Sequence, residues 1–238
     1  IMSTVSDYKR LKPINLHKGR VKVALEAIRI LKKETTDVPI VGNLTGPISV
    51  ASSLMEPVVF YKELRKKREE AHGFLSFVTD QLISFGRAQV AAGADVIAIS
   101  DPSGTGEILG PKYFEEFAVT YINRLLEGLP KEKMGTIVHI CGQMQPVYRE
   151  VDKIRSNALS FDSIVSMKEA KKRLPGRVLM GNVSTYALEF GTPERVGILT
   201  KSCIEAGSDI LSPACGLGMR SPLANVKAIL AALEQKGV

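Results

Sequence analysis

A (β/α) barrel around a parallel sheet is the fold class this sequence predicts, and three observations carry it. Apolar strand-like runs alternate with segments of helical period along the whole chain. Those runs are apolar throughout rather than alternating with polar residues, as strands covered on both faces are. The residues with chemical potential fall at the carboxyl ends of the runs, where barrel enzymes place their sites. An open doubly wound sheet is the structural alternative.

Taken in order, Ile1 to Lys18 shows no clear period and reads as a connection. From Gly19 to Glu34, the positions Val21, Leu25, Ile28 and Leu31 recur at helical spacing. Pro39-Ile40-Val41-Gly42-Asn43-Leu44 is a short strand ended by the turn formers Thr45-Gly46-Pro47. Helical stretches follow over Val50 to Met55 and over Pro57 to Ala92. The longer one is expected to break near Gly73 and to stop at Gly93. Asp95 to Ser100 is the next strand, running into the loop Asp101-Pro102-Ser103-Gly104-Thr105-Gly106. Pro111 opens a helix with Phe114, Phe117, Tyr121 and Leu125 as its stripe.

Three more strands are read at Thr136 to Cys141, Ala158 to Asp162 and Val178 to Asn182. Ser166 and Glu169 have the spacing of a capping box between the last two. Thr192-Pro193 starts a helix that stops at Gly207, and Ile210 to Cys215 is the sixth strand. Ser221-Pro222 then opens a closing helix with Leu223, Val226, Ile229 and Leu233 inward. Two turns echo one another, Gly93-Ala94-Asp95 and Gly207-Ser208-Asp209, each a helix stop followed by an acid and an apolar run. A closed barrel needs eight strands and about 250 residues. The first two units are therefore expected to be missing from this chain of 238 residues, which starts on Ile1 ahead of Met2. The whole is read as one barrel domain over residues 1–238, incomplete at its N-terminal end.

Composition narrows the function. With 45% hydrophobic and 24% charged residues the chain has the make-up of an ordinary globular protein. No apolar run approaches the ~18 residues of a membrane span, and nothing near Ile1 resembles a signal peptide, so a cytoplasmic location is expected. Three cysteines form no disulfide framework and favour free thiols or ligands. The net charge of +7 is a mild pull toward acidic partners. The basic run Arg65-Lys66-Lys67-Arg68 meets Glu69-Glu70 at once and reads as a solvated helix face. It has no interleaved aromatics, so neither nucleic acid nor membrane is expected as a partner.

The chemistry concentrates in Ile137-Val138-His139-Ile140-Cys141-Gly142 and in Cys215 of Ser212-Pro213-Ala214-Cys215-Gly216. Residues two apart on a strand point the same way, so His139 and Cys141 share a face. If both strand ends open on one cavity, His139, Cys141 and Cys215 can hold one metal ion and leave a fourth position free. Three protein ligands of nitrogen and sulfur type describe a catalytic zinc. Taken one at a time, each of these residues is more often plain core. Cys203, mid-helix beside Ile204, is read as core, and His17 and His72 as exposed. Asp101, Asp162 and Asn182 end strands and Gln143 follows the ligand pair, so all four are candidates for substrate contact. Asp162 or Asn182 is further expected to accept the second imidazole N–H.

Pro39-Ile40-Val41-Gly42 through Met55-Glu56, Gly93-Ala94-Asp95 through Asp101, Pro111 to Phe117 and Gly181-Asn182 together resemble the uroporphyrinogen decarboxylase superfamily. Within it, His139-Ile140-Cys141 and Cys215-Gly216 resemble the His-x-Cys…Cys zinc signature of the methylcobamide:coenzyme M methyltransferase branch. Arg220-Ser221-Pro222-Leu223-Ala224-Asn225 is close to that branch as well. The resemblance implies a (β/α)8 barrel with zinc held in its mouth by His139, Cys141 and Cys215, which act catalytically through the metal. It also implies methyl transfer between a corrinoid (methylcobalamin-like) carried on a small corrinoid-binding protein and a thiol acceptor such as coenzyme M, or a folate. Two alternatives stand beside it. One is a metal-free uroporphyrinogen decarboxylase of porphyrin synthesis; the other is a non-catalytic corrinoid- or thiol-binding barrel.

Overall fold

The computed structural model describes residues 2–130 and 134–234. After a 3-10 turn over Val5–Arg10 come α1 (Gly19–Glu34), β1 (Val41–Thr45), α2 (Pro47–Ser53), α3 (Pro57–Lys66), α4 (Arg68–Ala92) and β2 (Val96–Ser100). Next are α5 (Gly106–Tyr113), a π-helical segment (Phe114–Val119), α6 (Thr120–Gly128), β3 (Gly135–Ile140), α7 (Tyr148–Val151) and β4 (Ala158–Phe161). The chain closes with α8 (Met167–Arg173), β5 (Val178–Met180), α9 (Thr185–Phe190), α10 (Pro193–Glu205) and α11 (Leu223–Glu234).

The five strands form one parallel sheet in the order β1-β2-β3-β4-β5. A doubly wound sheet reverses its strand order at a switch point, whereas this order never turns back. Each strand is laid beside the one before it, which is how a barrel wall is built. The two-residue period of a strand splits the wall into two faces. One face packs Leu44, Ile97, Ile99, Val138, Ile140, Leu159, Phe161 and Leu179 into the main core, all at 0–1% exposure. The other face, with Asn43, Ala98, Ser100, Ile137, His139, Ser160 and Met180, lines a cavity. Buried aromatic rings of Phe60, Phe74, Phe114, Phe117 and Tyr121 help fill the helix layer behind the sheet.

The sixth strand exists only as two isolated parallel bridges, Met180 to Ile210 and Val183 to Pro213. Pro213 has no N–H to give to a ladder, and Gly181 sits at φ 132°, so regular pairing cannot continue. Backbone bonds still tie the segment down: Gly181 N–H donates to Ile210 O at 2.9 Å, Val183 N–H to Ser212 O at 3.0 Å, and Ala214 N–H to Val183 O at 2.8 Å.

Other expectations shift by a residue or a face. The long helical stretch breaks at Lys67, within the basic run, and α4 passes through Gly73 unbroken. Gly73 is instead a point of close approach, where a Cβ would stand 2.5 Å from the Tyr8 hydroxyl. Residues 2–18, read as connection, contain the 3-10 turn and bury Val5; Ile1 lies outside the described residues. Leu31 and Leu223 are 47% and 65% exposed rather than inward. Pro111 resumes helix just after Gly110, whose φ of 70° kinks α5. His72 is half-buried, its ring tilted against Phe117 with its ring nitrogens against Tyr121 and Glu116.

The echoing turns prove to be matched devices. Gly93 and Gly207 stop their helices at φ 114° and 95°. Asp95 accepts the N–H of Ile40 at 2.8 Å and pairs with Lys32, and Asp209 accepts the N–H of Leu179 at 2.7 Å and pairs with Lys171.

Candidate metal centre

His139 is the fifth residue of β3, and Cys141 follows the strand directly. Parallel pairing with β4 sets His139 opposite Ser160. The imidazole is 8% exposed, with Nδ1 at 3.0 Å from the Ser160 hydroxyl and Nε2 at 3.2 Å from Cys141 Sγ. Cys215 arrives from the other side, just past the Val183–Pro213 bridge, and is exposed. One ligand atom from each of His139, Cys141 and Cys215 lies within 4.8 Å of the other two. Groups bonded to a shared ion at about 2.0 Å (nitrogen) and 2.3 Å (sulfur) stand roughly 3.5 Å apart in a tetrahedron. The observed spacing exceeds that by at most about 1.3 Å, and the donor set is one that suits a borderline-soft divalent ion.

The electrostatics agree with that use. Burial pushes the pKa of His139 down, with Asp162 pulling it partly back, so the ring tends to the neutral form that binds metals. Burial, followed by the nearness of Cys215 and of the Asp162 and Asp101 carboxylates, pushes the Cys141 thiol up to about 12. Without a cation the Cys141 thiol thus disfavours ionisation, and a divalent ion is the group that reverses this. The cavity these residues border holds about 470 Å³. Its wall mixes apolar Val41, Ala98, Ile137 and Met180 with the polar groups of Asn43, Ser100, Ser160 and Ser212.

The other singled-out residues are placed as follows. Asp101 is fully buried; its carboxylate accepts Ser49 Oγ at 2.6 Å, Ser49 N–H at 2.8 Å and Ile48 N–H at 3.2 Å, which holds the first turn of α2. Burial raises its pKa while those donors and Gly104 N–H pull it down. Asp162 caps its own turn through Ile164 N–H and Ser163 Oγ. Asn182 donates to the carbonyls of Asp162 and Val165, both at 2.8 Å, and accepts the Cys203 thiol. Gln143 is exposed, its N–H on Glu107. The second imidazole nitrogen therefore meets Ser160 rather than Asp162 or Asn182. The signal for Ser160 was a lone hydroxyl in the apolar run Ala158–Phe161, legible as a strand but silent about its neighbour.

Residues 1–235 match the family described as uroporphyrinogen decarboxylase (URO-D). The chain belongs to the uroporphyrinogen decarboxylase family. Among relatives in this family, the methylcobamide:CoM methyltransferase MtbA of Methanosarcina acetivorans is 32% identical over 229 residues, covering 95% of this chain and 67% of that protein. The methylcobamide:CoM methyltransferase MtaA of Methanosarcina barkeri (strain Fusaro) is 33% identical over 224 residues, covering 92% and 65%. A solved methyltransferase from Methanosarcina mazei superposes with a TM-score of 0.88 at 34% identity, over 94% of this chain and 66% of that one. The chain thus spans about two thirds of the length of these relatives and falls with the methyltransferase branch of the uroporphyrinogen decarboxylase family. Among the described residues of this family member, no helix is long and apolar enough to cross a membrane.

Proposed function

We propose that this chain supplies the metal-binding part of a methyltransferase site, moving a methyl group between a methylated corrinoid and a thiol acceptor. The observation that supports it is the meeting of His139 and Cys141 with the sequence-distant Cys215 beside an open cavity. Relatives named as methylcobamide:CoM methyltransferases support the reaction class. His139 Nε2 and the sulfurs of Cys141 and Cys215 would hold zinc. Bound there, zinc would supply Lewis acidity toward an acceptor thiol, favouring its nucleophilic thiolate form.

The residues of the chain do the rest. His139 contributes a neutral nitrogen, because burial disfavours its charged form. Two protein thiolates offset the dipositive charge, which keeps a third, incoming sulfur electron-rich. The apolar stretch of the cavity wall, Val41, Ala98, Ile137 and Met180, keeps water away from the reacting sulfur. Cys215, on the exposed side, faces the approach of a corrinoid delivered by a partner protein. Asp101, Asp162 and Asn182 hold the turns at the strand ends through the bonds described above, and with Gln143 they are the candidates for substrate contact.

The test is metal analysis of the intact protein, joined to demethylation of methylcobalamin over a panel of thiols. One zinc per chain and thiol-dependent demethylation are expected, with weakened zinc retention and loss of demethylation in Cys215→Ala. Full activity in Cys215→Ala, or activity of metal-free protein on uroporphyrinogen, overturns the reading.

A further inference from the structure

We propose that Ser160 is a positioning residue for the metal-facing imidazole, holding His139 in the one tautomer and ring orientation that leave Nε2 free. The proposal rests on the metal reading of the site given above. β3 and β4 pair in parallel with His139 opposite Ser160, so the two side chains stand side by side on the cavity face. Both are buried, at 8% and 5% exposure, and a buried ring nitrogen calls for a hydrogen-bond partner. The Ser160 hydroxyl lies 3.0 Å from Nδ1, while Nε2 points the other way, 3.2 Å from Cys141 Sγ.

A neutral imidazole carries one N–H. When Nε2 gives its lone pair to a cation, that proton must sit on Nδ1 and needs an acceptor, which the hydroxyl oxygen provides. A carboxylate in this place would add a third negative charge beside two thiolates. Serine fixes the ring without doing so. The acidic and amide groups nearby are committed elsewhere: Asp162 to Ile164 N–H and Ser163, Asn182 to the carbonyls of Asp162 and Val165.

The experiment titrates zinc into the intact protein against a chromophoric chelator and records the visible absorption of the cobalt(II)-substituted form. It uses wild type, Ser160→Ala and Ser160→Thr, with melting of the metal-free proteins as the control for folding. Loss of such an outer partner typically costs about 10–100-fold in metal affinity. Ser160→Ala is expected to lose that much and to alter the cobalt spectrum, while Ser160→Thr restores both. A merely structural serine would lower the metal-free melting temperature of Ser160→Ala and leave affinity and spectrum alone. Equal affinity and spectrum in Ser160→Ala overturns the proposal. A wild-type chain that takes up no zinc overturns the metal reading, and this proposal with it.

Discussion

The two sides of the candidate centre are made in different ways. His139 lies in the middle strand of a five-stranded parallel wall, with β2 paired on one side and β4 on the other, and Cys141 is the residue directly after that strand. Their spacing is an outcome of strand geometry, and ladder bonds on both flanks hold it. Cys215 belongs to a segment attached to the wall by two bridges and a few backbone bonds, with Pro213 interrupting the pairing. The strand side is buried or half-buried and the loop side exposed. A candidate centre divided like this takes two of its three groups from the strand side and the third from a segment held by fewer backbone bonds.

Substitution breaks the comparison most directly. His139→Ala or Cys141→Ala should lower zinc affinity by at least on the order of a thousandfold, about a third of the ~10–16 kcal/mol typical of structural zinc binding. Cys215→Ala should leave the preformed pair and lose roughly tenfold less. Competition with a chelator measures all three, and an equal or larger loss at Cys215 would show that the loop is as preorganised as the strand.

Protons come next. Because the Cys141 thiol is pushed up to about 12, it is protonated across the neutral range until metal binds. Zinc uptake must release that proton, so affinity should rise at least about tenfold per pH unit between pH 6.5 and 8.5, some hundredfold or more over the interval. A flat profile, or no proton release by calorimetry in buffers of different ionisation enthalpy, would mean that Cys141 does not ligate. The sign for folding is separate. A raised thiol pKa favours the metal-free fold below the ordinary thiol range, and that contribution is lost as pH climbs toward about 12.

The smallest effect sharpens the contrast through the matched acids. Asp95 and Asp209 make equivalent bonds, but Asp95 braces β1 against β2, and Asp209 braces β5 against the segment that leads to Cys215. Losing a charge-assisted bond worth about 1 kcal/mol should make Asp209→Ala bind zinc roughly fivefold more weakly. Asp95→Ala should melt earlier with zinc affinity unchanged. Equal affinities in the two variants would remove the mechanical distinction between the two sides.

Local chemistry was legible in the chain and distant chemistry was not. The helix stops at Gly93 and Gly207, the caps at Ser166 and Thr192 and the shared face of His139 and Cys141 follow from backbone rules spanning a few residues. The break at Lys67 and the unbroken run through Gly73 do not, because the contact that calls for glycine there is with Tyr8, far off in sequence.

By itself the sequence determined the order of strands and helices, the parallel wall and the candidate ligands, since hydrophobic period and turn chemistry act locally. Only the tertiary structure decided that Cys215 comes within 4.8 Å of the other two, that Ser160 rather than a carboxylate meets the imidazole, and that Asp101 turns inward to α2. Those depend on the register between strands and on what packs behind them, which are properties of neighbours in space and not in the chain.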